Sequence, residues 1–358
     1  MNSYSAFLIM MCVILLNSPI LLALEIFKQI GAKNSDVSIP VSQVICLAGG
    51  GEKEDWLGAW TEMLKENKGG DVVIIRARSG PGVGAKFIKS LLKSNPNIVK
   101  PNTLTTISFD KRMDVERDVV LQLLRNAEVI FFDGGSQSLY LEYFKNTKFA
   151  DIVNQAITDG KIIGGTSAGM ALLGGINYTA KFGSPVDDEY MVTAKDVLQN
   201  PLGDFVDLED SLFIPPYMDN VITETHCNER ERQGRAVGFL ARAYYNQKLK
   251  LNNQQKSIQS IKAICADEFA SLCYNKDGIA RIYGAGDVFF MQGNARIEQL
   301  KPGVPLQWKG KHRAIKVTRV SGSEMGTKEF DLKKWENRAG GIEYWWVDGD
   351  KSFFGPSQ

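Results

Sequence analysis

Apolar, β-rich runs alternate with segments of helical periodicity through the first half of this chain. The predicted strands cover 41–48, 71–77, 103–109, 127–132 and 161–163, and the predicted helices cover 56–65, 85–93, 114–126, 138–145 and 152–158. Strands that alternate with helices of this length indicate a mainly parallel sheet with helices on both faces. The pattern therefore predicts an α/β protein with a three-layer α/β/α arrangement.

From about residue 279 the pattern changes to short β-like segments separated by Gly, Pro and Asn. The segments 287–291, 314–320 and 342–346 predict antiparallel strands that close the sheet edge or form a small extension. We therefore expect one domain over 38–290 and a β-rich C-terminal extension over 291–358. The sequence leaves open whether this extension is part of the same domain.

Residues 1–24 resemble a signal peptide. An uninterrupted apolar run over 6–16 is too short to span a bilayer comfortably, Pro19 follows it, and small residues near 23 offer a poor cleavage site. The segment departs from the usual pattern because no Lys or Arg precedes the run. We expect a secreted or periplasmic protein, with an uncleaved leader that acts as a membrane anchor as the less favoured alternative.

The net charge and the cysteine positions limit which partners and which disulfide bonds can be expected. The net charge of +1 gives no reason to expect a nucleic-acid partner. Cys46 lies in an apolar strand, where a free buried thiol is expected, whereas Cys265 and Cys273 flank a predicted hairpin and could pair in an oxidising compartment. No cysteine spacing matches a zinc site.

The most informative motif is Gly165-Thr166-Ser167-Ala168-Gly169, which follows an apolar strand. This G-x-S-x-G pattern is typical of a nucleophile elbow, in which a sharp strand-to-helix turn presents the serine hydroxyl. The same turn aims the amide of Ala168 at a developing oxyanion. Glycine clusters at 49–51, 134–135 and 164–165 fall at predicted strand ends, where sites gather in parallel sheets.

A serine nucleophile needs a base, and the chain has only two histidines. His312 lies in a charged turn and is expected to be an exposed loop residue. His226 stands between an apolar pair and a predicted helix over 229–245, which makes it the candidate base.

The base must be oriented by a carboxylate. Glu268, which follows the predicted strand 261–265, is the best candidate, and its neighbour Asp267 is an alternative. Glu224 would share a face with His226 if the strand stayed extended. The order Ser, His, Glu disfavours an ordinary α/β-hydrolase, whose order is Ser, acid, His.

These motifs in this order resemble the cyanophycinase branch of the serine peptidases, which includes aspartyl dipeptidase. The similarity spans roughly 44–290 and rests on Gly-Thr-Ser-Ala-Gly, Glu-Thr-His-Cys-Asn-Glu-Arg-Glu-Arg-Gln-Gly-Arg, Ala-Asp-Glu, Leu-Ala-Gly-Gly-Gly-Glu and Asp-Gly-Gly-Ser-Gln. The resemblance implies a flavodoxin-like fold related to class I glutamine amidotransferases. It also implies Ser167 as nucleophile, His226 as base, Glu268 as acid, and an oxyanion hole built from the amides of Gly135 and Ala168.

The resemblance further implies a substrate pocket around Gln137, Glu224, Thr225, Arg230, Arg232 and Arg235. On a helix Arg232 and Arg235 would share a face, and guanidinium groups can grip a substrate carboxylate with two hydrogen bonds. The alternative is a helix surface on which the arginines pair with Glu229 and Glu231. The family's usual Asp-Gln-His-Phe is Glu-Thr-His-Cys here, and its usual Gly-Gly-Asp/Asn-Gln is Gly-Gly-Ser-Gln, so substrate contacts differ although the triad is kept.

We therefore expect an exported serine peptidase that cleaves an aspartyl peptide bond, in cyanophycin or a β-Asp-Arg-like peptide, with no metal and no cofactor. The expected partner is an acidic peptide, with no nucleic acid and no membrane beyond the leader, and a homodimer is left open. One alternative is a hydrolase of small acidic or isoaspartyl dipeptides, and another is a non-catalytic exported binding protein. A glutamine amidotransferase-like domain fits poorly because it would carry cysteine in place of Ser167.

Overall fold

The computed structural model describes residues 24–31, 39, 41–51, 57–78, 80, 82, 84–183, 191–250, 257–338, 340–349 and 354–357. The predicted signal peptide, except for Leu24, lies outside these described residues. Within the ranges given, no helix is both long enough and apolar enough to cross a membrane.

The helices and strands follow one another in mixed order along the chain. The helices are α1 (Leu57–Asn67), α2 (Gly84–Ser94), α3 (Asp118–Asn126), α4 (Gln137–Phe144), α5 (Lys148–Thr158), α6 (Ala168–Ala171), α7 (Ala194–Gln199) and α8 (Gln233–Lys250). The strands up to the middle of the chain are β1 (Glu25–Gly31), β2 (Val44–Ala48), β3 (Val72–Arg76), β4 (Thr103–Ser108), β5 (Val129–Phe132), β6 (Ile162–Thr166), β7 (Ile176–Tyr178), β8 (Leu208–Asp210), β9 (Val221–Thr225) and β10 (Lys262–Ala266). The remaining strands are β11 (Ala270–Asn275), β12 (Ile279–Gly284), β13 (Asp287–Gly293), β14 (Gln307–Trp308), β15 (Ile315–Ser321), β16 (Lys328–Asp331), β17 (Glu336–Asn337), β18 (Gly341–Asp348) and β19 (Phe354–Ser357).

The first sheet has the order β1-β4-β3-β5-β6-β2-β11-β12-β16-β17. Its central strands β4, β3, β5, β6 and β2 run parallel to one another, and β1 and β11 flank them in antiparallel orientation. Helices α1 and α2 pack on one face, and α3, α4 and α5 pack on the other. Strands covered on both faces are buried at nearly every position, as the continuous apolar runs indicate. The predicted α/β class with a mainly parallel sheet between helices is confirmed.

A second sheet was not foreseen in this form. Its order is β14-β18-β15-β13-β10-β9-β7-β8, with β19 beside β18, and α7 and α8 cover one of its faces. The predicted C-terminal strands are antiparallel, but β13, β15 and β18 extend this second sheet while β16 and β17 extend the first. The division of the chain near residue 290 remains a prediction; the structure places that boundary inside β13, which pairs with β10 on one side and β15 on the other.

The structure overturns the expected free thiol at Cys46 and decides the cysteine pairing that the sequence left open. Cys46 is not a free thiol, because it forms a disulfide with Cys273 between directly paired residues of β2 and β11. Cys265 does not pair with Cys273 and instead forms a disulfide with Cys227. The two bonds follow the strand neighbours that the two sheets create, which a local hairpin reading of the sequence cannot supply.

Candidate active site

Ser167 stands at the turn between β6 and α6, in the predicted elbow. Its backbone has φ 52° and ψ −121°, a conformation that L-residues rarely adopt. The flanking glycines are required by close packing: a Cβ on Gly165 would lie 2.5 Å from the backbone of Gly169, and a Cβ on Gly169 would lie 2.1 Å from the carbonyl oxygen of Phe132. The turn therefore requires glycine at positions 165 and 169, because a larger residue would not fit at either position.

Ser167, His226 and Glu268 form a continuous hydrogen-bonded chain. Ser167 Oγ lies 2.6 Å from His226 Nε2, and His226 Nδ1 lies 2.6 Å from Glu268 Oε1. With the proton on Nδ1, the ring donates to Glu268 and Nε2 accepts from the serine hydroxyl. This is the arrangement in which a serine can be deprotonated by a histidine that a carboxylate holds in the required tautomer. The three predicted residues are thus brought together, while their catalytic role remains a prediction.

Strand pairing explains why the base and the acid meet. Strands β9 and β10 run parallel, with Thr225 opposite Ala266, so the residues that follow each strand emerge at the same edge. His226 turns out of β9 with φ 53°. Glu224 and His226 would have shared a face only on a continued strand, and the extended conformation ends at Thr225.

Two glycines after β2 set the position of the imidazole. The amide of His226 donates to the carbonyl of Gly49 at 2.9 Å. A Cβ on Gly50, where φ is +131°, would lie 2.2 Å from Cε1 and 2.8 Å from Nε2 of the His226 ring. Since β2 lies beside β6 in the first sheet, these glycines place a histidine of the second sheet against the serine of the first. The sequence showed the glycine cluster at a strand end but gave no sign of which side chain it contacts.

The electrostatic environment keeps the base neutral. The pKa of His226 is lowered from 6.5 to about 4, first by burial and then by the positive charge of Arg230, while the hydrogen bond to Glu268 acts in the opposite direction. Arg230 is 39% exposed, and its guanidinium lies 3.9 Å from Glu268. The site therefore holds a neutral imidazole beside an accessible cation.

Open space lies beside Gly135, one of the two predicted oxyanion donors. A Cβ on Gly134 would lie 3.5 Å from the Cβ of Ser167, whereas a Cβ on Gly135 would meet no atom within 4 Å. The preceding Asp133, which is buried, anchors this loop, because it accepts from the Gly134 amide at 3.1 Å and pairs with Arg76 at 2.7 Å.

The predicted substrate arginines separate into two groups. Helix α8 begins at Gln233, so Arg230 and Arg232 lie in the turn before it and not on the predicted helix. Arg235 is buried and donates twice to Glu224, at 2.7 and 2.8 Å, and Arg232 lies 3.6 Å from the same carboxylate. Burial alone would raise the pKa of Glu224, but the charges of Arg235 and Arg232 outweigh it and lower that pKa.

This buried cluster corrects two expectations. Glu224 and Arg235 are each only 3% exposed and form a salt bridge with each other. Arg235 therefore does not pair with Glu229 or Glu231 on the helix surface. For the same reason, neither Glu224 nor Arg235 is placed to contact a substrate directly. Arg232 Nη1 donates to the carbonyl and the hydroxyl of Thr225, immediately before His226. The buried cluster thus packs against the end of β9. Of the three predicted substrate arginines, Arg230 is the exposed one.

The remaining predicted residues have defined partners. Gln137, the first residue of α4, donates to the carbonyl of Tyr178 at 3.0 Å. Asp267, the alternative acid, does not contact His226 and instead accepts from Asn228 and from the amide of Asp287. Burial raises the pKa of Asp267 to about 6 despite these hydrogen bonds. His312 is exposed, as expected, and its ring stacks on Trp346.

No group of three or more His, Cys, Asp or Glu side chains in the part of the chain that the structure describes could hold a metal ion. The fold and the site define the class of protein: an α/β protein in which a serine, a histidine and a glutamate side chain lie in the geometry that serine hydrolases use.

Comparisons with known proteins show which family this chain resembles. The model of peptidase family S51 matches residues 100–256. The chain is similar to the cyanophycinases of Synechococcus elongatus and of Thermosynechococcus vestitus (strain NIES-2133 / IAM M-273 / BP-1), each 26% identical over 178 residues, or 49% of this chain and 45% of the relative. The match thus spans less than half of the length of these curated relatives. The resemblance to the cyanophycinase and aspartyl dipeptidase-like family is confirmed.

Two solved structures are also similar. A peptidase from an acI-B1 Actinobacterium has 15% identity and a TM-score of 0.48, covering 81% of this chain and 97% of that one. A putative peptidase E protein from Listeria monocytogenes EGD-e has 15% identity and a TM-score of 0.41, covering 68% of this chain and 98% of that one.

Proposed function

We propose that this chain is an exported serine peptidase that hydrolyses an aspartyl peptide bond through Ser167, His226 and Glu268. The observation that carries the proposal is the pair of 2.6 Å contacts that link the serine hydroxyl to the imidazole and the imidazole to the carboxylate. A neutral imidazole in that position is the form that can accept the serine proton. The similarity to peptidase family S51 adds the expectation of a peptide substrate.

The proposed reaction has two stages. Ser167 Oγ attacks the carbonyl carbon while His226 Nε2 takes the hydroxyl proton, and the oxyanion is stabilised by the amides of Gly135 and Ala168. Collapse of this intermediate breaks the C–N bond, and the imidazolium gives its proton to the leaving amine. A water molecule then attacks the acyl-enzyme, again with His226 as base, and releases the acid and the free serine.

Charge favours an acidic substrate. Arg230 is half-exposed beside Glu268, and a guanidinium can hold a substrate carboxylate with two parallel hydrogen bonds. Cyanophycin, a polyaspartate backbone that carries arginines, is the leading substrate because the curated relatives are cyanophycinases. Export is favoured by the apolar leader and by two disulfides, which persist in oxidising compartments.

The test is the clearing of a cyanophycin suspension by the oxidised protein, with Ser167→Ala beside it. Ser94→Ala is the matched control, because Ser94 is exposed at the end of α2. A fluorophosphonate probe, which labels activated serines, is applied to all three proteins. Parallel assays with β-Asp-Arg and with small acidic dipeptides separate a polymer hydrolase from a dipeptidase.

We expect wild type and Ser94→Ala to clear the suspension and to be labelled, and Ser167→Ala to do neither. Labelling of wild type without clearing, together with cleavage of small dipeptides, would move the substrate to acidic dipeptides. A folded wild-type protein that is neither labelled nor active would refute the serine mechanism and favour a non-catalytic binding protein.

A further inference from the structure

The segment 227–229, which follows His226, is joined to the segment 265–268, which contains Glu268, by one disulfide and several hydrogen bonds. Cys227 forms a disulfide with Cys265, and its amide donates to the carbonyl of Ala266 at 3.2 Å. The amide and side chain of Asn228 donate to the carboxylate of Asp267 at 3.0 and 2.6 Å. We call the segments 227–229 and 265–268 together the clasp.

The clasp ends at the acid itself. Glu229 Oε2 accepts from the backbone amide of Glu268 at 3.0 Å. Asp267 is also tied to β13, because it accepts from the amide of Asp287 at 2.9 Å. His226 is the residue immediately before one segment of the clasp, and Glu268 is the last residue of the other. The distance between imidazole and carboxylate therefore depends on how tightly the two segments are held.

The disulfide is the one covalent bond among these clasp contacts. Both of its cysteines are fully buried, whereas Glu229 and Asn228 lie toward the surface. The hydrogen bonds of the clasp can exchange with water, but the disulfide cannot. Since His226 has a strained positive φ, the turn that carries it needs such an external restraint.

We propose that the Cys227–Cys265 disulfide positions the His226–Glu268 pair, and that full turnover requires this bond to be formed. The inference rests on the proposed function. Formation of the bond joins the two sulfurs, and the two electrons and two protons of the thiols pass to oxidised glutathione, whose S–S bond breaks to give two molecules of glutathione. Cys227 and Cys265 act through the residues that they hold and do not touch the substrate.

The second disulfide provides a matched control. Cys46 and Cys273 are also buried, but they join β2 to β11 on the face of the first sheet that α1 covers. That bond closes a sequence separation of 227 residues, against 38 for Cys227–Cys265. Chain entropy predicts that removing the longer closure costs at least as much stability. If both disulfides acted only through stability, the control variant would therefore lose at least as much activity as C227A/C265A.

The experiment compares wild type, C227A/C265A and C46A/C273A, all without the leader, for fluorophosphonate labelling, kcat, KM and thermal unfolding. We expect C227A/C265A to lose at least about tenfold in labelling rate and kcat, because a misplacement of about 1 Å is sufficient, while KM stays within about twofold. We expect C46A/C273A to keep wild-type labelling and kcat. A folded C227A/C265A that is labelled within about twofold of wild type would overturn the inference.

A second comparison covers the case in which C227A/C265A does not fold. C46A/C273A contains only Cys227 and Cys265 outside the leader, so it is produced reduced and then oxidised with glutathione, with the thiols counted by alkylation. We expect the labelling rate to rise at least about tenfold on oxidation. Equal rates before and after would overturn the inference. If oxidised wild type is neither labelled nor active, the proposed function has failed and not the positioning role.

Discussion

The contact between Gly50 and the imidazole gives the sharpest prediction of the site. In Gly50→Ala the new methyl carbon would lie 2.2 Å from Cε1 of His226. Carbon atoms pack at about 3.5 Å or more, so the ring must retreat by roughly 1.3 Å. Hydrogen bonds of 2.6 Å to Ser167 and Glu268 cannot both survive that movement. A displacement of about 1 Å costs about 100-fold in rate, which is ~2.7 kcal/mol of transition-state stabilisation.

The assay for Gly50→Ala is kcat on the best peptide substrate together with denaturant unfolding. The matched control is Gly303→Ala, because Gly303 also has a positive φ, +69°, but a Cβ there would meet no atom within 4 Å. We expect both variants to lose stability from backbone strain, and only Gly50→Ala to lose roughly 100-fold in kcat. A folded Gly50→Ala with a kcat near that of Gly303→Ala would refute the reasoning that β2 sets the ring position.

Two further predictions concern charges near the base. His226 can act as base only when it is neutral, so activity should persist below pH 6 and fall as the pH drops through the His226 pKa of about 4. Because the charge of Arg230 lowers that pKa, the loss of activity in a pH–rate profile of Arg230→Gln should occur at higher pH. Glu224→Gln should lower the free energy of unfolding by about 3–5 kcal/mol, because it leaves the buried Arg235 without its counter-charge. Glu231 lies on the exposed turn, so Glu231→Gln should change that free energy by less than about 0.5 kcal/mol. Urea unfolding measures both.

The central sheet and the elbow were predictable because their signals are local. Continuous apolar runs identify strands that are buried on both faces, and the regular intervening helices imply parallel order. The elbow was predictable because Gly165 and Gly169 approach neighbouring backbone too closely for any side chain. Each of these signals is carried by a segment of about ten residues and does not depend on distant contacts.

The second sheet was not predictable, because its membership is decided by packing. Strand β7 has only three residues, and β9 and β10 gave no sign that they would pair with each other instead of joining the first sheet. The disulfides depend on the same information, since four cysteines allow three pairings and only the strand order selects one. Cys227 directly follows His226, and Cys265 lies three residues before Glu268. Had the parallel pairing of β9 with β10 been known, it would have indicated the Cys227–Cys265 disulfide.

The chain order of the triad follows from this two-sheet construction. The proposed nucleophile Ser167 follows a strand of the first sheet, whereas the proposed base His226 and acid Glu268 follow consecutive parallel strands of the second, so the base precedes the acid along the chain. The base–acid contact is thus internal to one sheet and is restrained covalently by Cys227–Cys265. The nucleophile–base contact crosses between sheets and depends on Gly49 and Gly50 alone among the contacts described above. Substitutions at the glycines should therefore separate serine from histidine, whereas loss of the disulfide should separate histidine from glutamate.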